Sequence, residues 1–123
     1  MSENTFRIDG TIDAFPNQHQ AREYEIEFLA PEFTSVCPMT GQPDFGAINV
    51  TYVPGERCIE LRSFKYYLFT YRNMGIFYED IANRVLDDIV AAVHPRRVTV
   101  VAEMNTRGGI SARVTASYVA PGE

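Results

Sequence analysis

Nowhere in the 123-residue chain does an apolar run approach the ~20 residues that a membrane-spanning helix needs, and the lysines and arginines never gather into a run. The first absence excludes a helical membrane anchor. The second, with a formal net charge of −5, argues against a surface built to neutralise a phosphate backbone. The N-terminal MSENTFRIDG has neither the basic region nor the apolar stretch of a signal peptide, so the expectation is a cytoplasmic protein with no membrane and no nucleic-acid partner. Cysteine is scarce. Only Cys37 and Cys58 occur, and in a reducing compartment both are expected as thiols rather than as a bridge. Histidine is equally scarce, and the separations of His19 and His94 from the two cysteines match no zinc spacing, so no metal is expected. Walker and Rossmann glycine patterns are both missing.

What remains is a chain with 46% hydrophobic residues, enough for one modest core. Residues 1–20 are polar and aperiodic and read as a tail or a strap over a neighbour, leaving a single domain over 21–120. In YEIEFLAPEFT the alternation of Tyr24, Ile26 and Phe28 with Glu23, Glu25 and Glu27 predicts a strand with one buried face, interrupted at Pro31. GAINVTYV repeats that alternation through Ile48, Val50 and Tyr52 before a Pro-Gly turn. A helix is predicted from about Ser63 to Arg72 with Ser63 as its N-cap, although the aromatic content of the segment suits a strand as well. The pattern that follows is plainer. Phe77, Ile81, Val85, Ile89 and Val93 recur every fourth residue and predict an amphipathic helix ending at His94-Pro95. RVTVVAEMN and ISARVTASY then read as a hairpin around TRGG. The order β-β-α-α-β-β implies an α+β fold, a four-stranded antiparallel sheet with two helices on one face. Its exposed edges, with seven Tyr and eight Phe, predict a homo-oligomer joined edge to edge.

Chemistry concentrates in SVCPMTGQPDF. A free cysteine is as often a small buried hydrophobe as a reactive thiol, but Pro38, Gly41 and Pro43 fix an irregular loop, the kind of segment that displays reactive groups. A thiolate at Cys37 would attack an electrophilic carbon, and Asp44 would exchange protons with the adduct, unless it merely caps a turn. In ELRSFKYY, Arg62 and Lys65 are three apart beside Ser63, which suits a phosphate or a plain solvated face. Arg107 before Gly108 allows close approach of backbone to an anion, or simply a tight hairpin turn. Glu79 suits the first turn of the second helix electrostatically, and its carboxylate can also accept the N–H groups of a guanine-like base.

In their order and spacing FTSVCPMTGQPDF, ELRSFKYYLFTYRN, FYED and RGGIS resemble the 7-cyano-7-deazaguanine reductases of queuosine biosynthesis (QueF), a family of the tunnelling-fold superfamily. The resemblance runs from about Phe33 to Ser111. It implies reduction of a nitrile to a primary amine with two NADPH, through a covalent thioimide on Cys37, with Asp44 as the acid. It further implies that Glu79, Tyr78, Glu60, Leu61 and Ser63 bind the 7-deazaguanine, and that Arg62, Ser63, Lys65, Arg107 and Gly108 bind NADPH. The sites would lie between subunits of a ring-stacked homo-oligomer. Two positions depart from the family's usual pattern, with Tyr78 in place of a histidine and Arg62 in place of a lysine. An amidinotransferase using the same thioimide with an amine donor, and a non-catalytic purine- or pterin-binding module, are the alternatives.

Overall fold

The computed structural model describes residues 10–123. Six strands and two helices follow one another as β1 (Ala14–Pro16), β2 (Ile26–Val36), β3 (Pro43–Val53), β4 (Arg57–Ile59), α1 (Leu61–Phe69), α2 (Tyr78–Val93), β5 (Arg97–Arg107) and β6 (Ile110–Val119). The main sheet is antiparallel in the order β2-β3-β5-β6, and the short β1 and β4 pair separately. The α+β architecture with its four-stranded antiparallel sheet is therefore the one expected.

One face of each long strand is apolar, and the two helices cover it. Ile48, Val50 and Tyr52 of β3 and Val98, Val100, Ala102 and Met104 of β5 are buried in one core with Ile81, Val85 and Ile89 of α2. Each such aliphatic side chain, removed from water, contributes about 1.5–3 kcal/mol, which makes α2 the element that holds the sheet in place. Many of the aromatics are core residues too, with Phe33, Tyr52, Phe64, Tyr67 and Tyr71 all buried. The sheet edges are β2 and β6, and they carry the exposed apolar side chains Leu29, Ile110 and Val119.

Pro31 interrupts the alternation as expected, with a register shift between Ala30 and Phe33, while β2, an edge strand where a missing N–H goes unused, runs on to Val36. One local expectation is corrected. Ser63 does not cap α1. The cap is Glu60, whose carboxylate accepts from the Arg62 and Ser63 backbone N–H groups at 3.1 and 2.8 Å, so the helix starts earlier and ends at Phe69.

Residues 1–9 of the segment read as a tail or strap lie outside the described residues. The rest of it is tied down. Asp13 donates its N–H to Ser63 Oγ at 2.8 Å and accepts the Glu60 N–H at 2.8 Å, while buried Asn17 donates to the Gly55 carbonyl and accepts from Tyr24 Oη at 2.6 Å.

Candidate active site

Cys37 stands in the six-residue connection between β2 and β3, and the loop is fixed from within. Its N–H donates to the Gln42 carbonyl and its carbonyl accepts the Gly41 N–H, both at 2.9 Å, a closure that puts Gly41 at φ 73°, where a side chain would be strained. The Thr40 hydroxyl, followed by the Met39 and Thr40 backbone N–H groups, holds the Cys37 thiol below its ordinary value, against desolvation and the nearby Asp44 carboxylate. Cys37 is half-buried, and its sulfur faces hydrogen-bond donors that favour the charged form.

Asp44 enters from β3 and is only 4% exposed. Two groups hold its Oδ1: the Tyr78 hydroxyl donates to it at 3.0 Å, and the Arg107 guanidinium forms an ion pair with it. Desolvation, then the bond to Asp44, pushes the Tyr78 hydroxyl above its usual range, so the phenol stays neutral and remains a donor. Both partners are placed by the fold. Tyr78 is the first residue of α2, and Arg107 is the last of β5, just before a turn in which Gly108 and Gly109 take φ of 61° and 83°. A backbone bridge between Val36 and Gly75, with the Val36 N–H donating to Met74 and its carbonyl accepting from Ile76 at 3.0 Å each, seats the start of α2 against the end of β2.

The outcome is a cleft of about 280 Å³ lined by Cys37, Thr40, Asp44, Tyr78, Glu79 and Arg107, with Pro38, Ile76 and Phe77 as its apolar walls. Five of the candidate residues therefore meet in one place. Glu79 is exposed in the first turn of α2 and free to accept from a ligand's N–H groups, beside a thiol and a buried carboxyl.

The remaining candidates do not meet there. Glu60, Leu61, Arg62, Ser63 and Lys65 sit at the start of α1, and Leu61 and Lys65 line a separate groove between α1 and β2. Arg62, Lys65 and Leu61 are exposed, whereas the Ser63 hydroxyl is used within the chain, donating to the Glu60 carbonyl at 2.7 Å and accepting from Asp13. Gly108 is exposed at the hairpin turn next to Arg107. Sequence reasoning missed Thr40, whose only signal was a hydroxyl three residues after a loop cysteine.

An α+β chain with this sheet order, in which a loop thiol and a buried carboxyl of β3 share a cleft with the start of the second helix, is a tunnelling-fold protein. It is similar in structure to the archaeosine synthase QueF-Like in its apo form, with a TM-score of 0.68 and 26% identity over 77% of this chain and 91% of that one. A family model described as QueF-like protein matches residues 43–123, which include Asp44, Tyr78, Glu79 and Arg107. The chain belongs to the QueF-like family. Its relatives include the NADPH-dependent 7-cyano-7-deazaguanine reductase of Chlorobaculum tepidum, 60% identical over 87% of this chain and 92% of the relative. The protein of the same name from Chlorobium phaeovibrioides is 56% identical over 90% and 96%.

Proposed function

We propose that the protein reduces the nitrile of 7-cyano-7-deazaguanine to the aminomethyl group with two equivalents of NADPH. The observation that carries this reading is the meeting of a thiol held low and a buried carboxyl in one cleft, in a chain so close to reductases of that name. Cys37 Sγ adds to the nitrile carbon while Asp44 gives a proton to the nitrile nitrogen, which forms the thioimide. NADPH supplies hydride, and after the first addition Sγ leaves with its electron pair, giving an imine that takes the second hydride and a proton. Glu79 accepts N–H groups of the base and turns the nitrile toward Sγ, a positioning effect of the kind that raises effective molarity. Tyr78 acts on the substrate side through Asp44, as a neutral donor where the family usually has histidine.

The described residues fit NADPH in charge. Arg62 and Lys65 offer exposed cations at the start of α1, and Arg107 with Gly108 offers a third on the rim of the cleft. Glu60 and Ser63 serve by building the segment that presents Leu61, Arg62 and Lys65. Because that segment does not line the Cys37 cleft of its own chain, we infer that a neighbouring copy brings it there, in a homo-oligomer joined through the edges β2 and β6. The acidic net charge supports a small-molecule rather than a nucleic-acid substrate, and the two free thiols suit the cytoplasm.

The test is NADPH oxidation by the purified protein given 7-cyano-7-deazaguanine, with Cys37→Ala and Asp44→Ala in parallel. Turnover by the parent, lost in both variants, is the expected result. An oligomeric parent that oxidises no NADPH would overturn the reading, and an adduct that forms yet reacts only with an amine donor would make it an amidinotransferase.

A further inference from the structure

We propose that Arg72, together with Lys65, holds the 2′-phosphate of NADPH in the groove between α1 and β2, and so lets the protein tell NADPH from NADH. The inference rests on the reading of the chain as an NADPH-dependent reductase. It starts from the groove itself, which encloses about 580 Å³, a volume in the range of small-molecule sites. Leu61, Leu68 and Phe69 give it apolar walls, and the exposed Lys65 and Arg72 line it as well. Leu61 and Phe69 stay 58% and 39% exposed, so the walls are open to a ligand.

The two cations are gathered around one ring and left without an anion. Lys65 Nζ lies 5.9 Å and Arg72 Cζ 5.5 Å from the centroid of Phe69, so the same aromatic ring attracts both. Arg96, Arg97, Arg107 and Arg113 are all ion-paired, but among the described residues neither Lys65 nor Arg72 is. Glu32 lines the same groove and pairs with neither. Nor does the start of α1 offer backbone donors to an anion. Its Arg62 and Ser63 N–H groups go to the Glu60 carboxylate, and the Phe64 N–H goes to the Glu60 carbonyl. A phosphate in this groove is therefore held by side chains.

Of the phosphates of NADPH, the 2′-phosphate fits best. It is a terminal ester, with a charge of about −1.5 to −2 at neutral pH and three acceptor oxygens, which suits a guanidinium fork beside an ammonium. It also sits next to the adenine, an aromatic plane for which the apolar walls and the flat Arg72 guanidinium provide a bed. The pyrophosphate and the nicotinamide then lead away toward the Cys37 cleft of the neighbouring copy. NADH has a hydroxyl at the 2′ position and leaves both cations uncompensated.

The test measures, by calorimetry, equilibrium binding of adenosine 2′,5′-bisphosphate to the parent, Arg72→Ala and Arg72→Lys, next to ADP and inorganic phosphate, neither of which offers a 2′-phosphate on adenosine. The parent is expected to bind the bisphosphate at least about tenfold more tightly than ADP. Arg72→Ala should weaken the bisphosphate about 10- to 100-fold, the loss of a charge-assisted pair, and leave ADP within about twofold. Arg72→Lys, which keeps the charge without the fork, should fall between. In turnover the same Arg72→Ala protein should show a raised KM for NADPH, with the KM for 7-cyano-7-deazaguanine and the kcat at saturating NADPH within about twofold of the parent. An Arg72→Ala protein that binds the bisphosphate as the parent does would overturn the inference. So would a loss shared equally by ADP, or inorganic phosphate bound as tightly as the bisphosphate, which would make the groove an unselective anion surface. Binding that depends on Arg72 in a parent that oxidises no NADPH with the nitrile supports the site and sinks only the reductase reading.

Discussion

Replacing Gly46 with alanine would add a single methyl group at the centre of the sheet, two residues along β3 from Asp44. A Cβ there would lie 2.4 Å from the Glu103 carbonyl oxygen, 2.8 Å from Met104 Sδ and 2.9 Å from Met104 Cα, where ordinary contact begins at 3.4 Å. Two of the three obstacles are backbone of β5, which a rotamer change cannot move. Relief requires β3 and β5 to part by about 1 Å where Gly46 faces Met104, the first pair of a ladder that runs from there to Val53–Arg97. Overpacking a core usually costs about 1–3 kcal/mol, and with backbone on the receiving side about 3 kcal/mol is expected here. That lowers the folding equilibrium constant on the order of 100-fold and the melting temperature by about 10 °C. The assay is urea unfolding at fixed protein concentration, with the slope unchanged and the midpoint lowered. Because the displaced strand carries Asp44, kcat should fall as well, in folded protein. A Gly46→Ala protein within about 0.5 kcal/mol of the parent would refute the reasoning.

Thr40→Val keeps shape but removes the first of the donors that hold the Cys37 thiol low, so the pH at which iodoacetamide alkylation of Cys37 reaches half its maximum rate should rise, and alkylation at neutral pH should slow. Glu60→Ala should cost about 1 kcal/mol as the loss of an N-cap, read from urea midpoints at neutral pH. Desolvation raises the Glu60 carboxyl, but the Ser63 and Arg62 N–H groups outweigh it and hold the group below its usual range. Its contribution is therefore present above the unfolded value and lost as pH falls through the folded one, so parent and variant should converge in acid. Tyr67→Phe removes a buried hydroxyl that donates to Asp88 at 2.6 Å and touches Tyr71 Oη at 2.7 Å, and should cost about 1–2 kcal/mol in the same assay.

The second helix was legible in the sequence because its evidence is periodic. A four-residue recurrence over sixteen positions leaves little choice, and His94, in the left-handed conformation before Pro95, ends it where expected. That β2 runs on past the interruption at Pro31 depends on its being an edge, which only the sheet order decides. The capping role of Ser63 was misjudged. A serine suits an N-cap, but here Glu60 precedes it and takes both N–H groups, leaving the serine hydroxyl to bond back to the Glu60 carbonyl. The pairing of β1 with β4 joins residues far apart in the chain over three positions each, too short for any pattern.

The site divides along the same line. Cys37 and Asp44 were legible because proline and glycine mark the loop between them. The bond from Tyr78 to Asp44 was not, because it joins the start of α2 to a strand far back along the chain.

Intact-mass spectrometry of the protein mixed with 7-cyano-7-deazaguanine and no NADPH tests the covalent chemistry at Cys37 most directly. The expected result is a mass increase of one whole substrate molecule, absent in Cys37→Ala, that disappears when NADPH is added as two equivalents are oxidised for each substrate reduced. Turnover by Cys37→Ala at the parent's rate, or no mass increase in a parent that turns over, would contradict it.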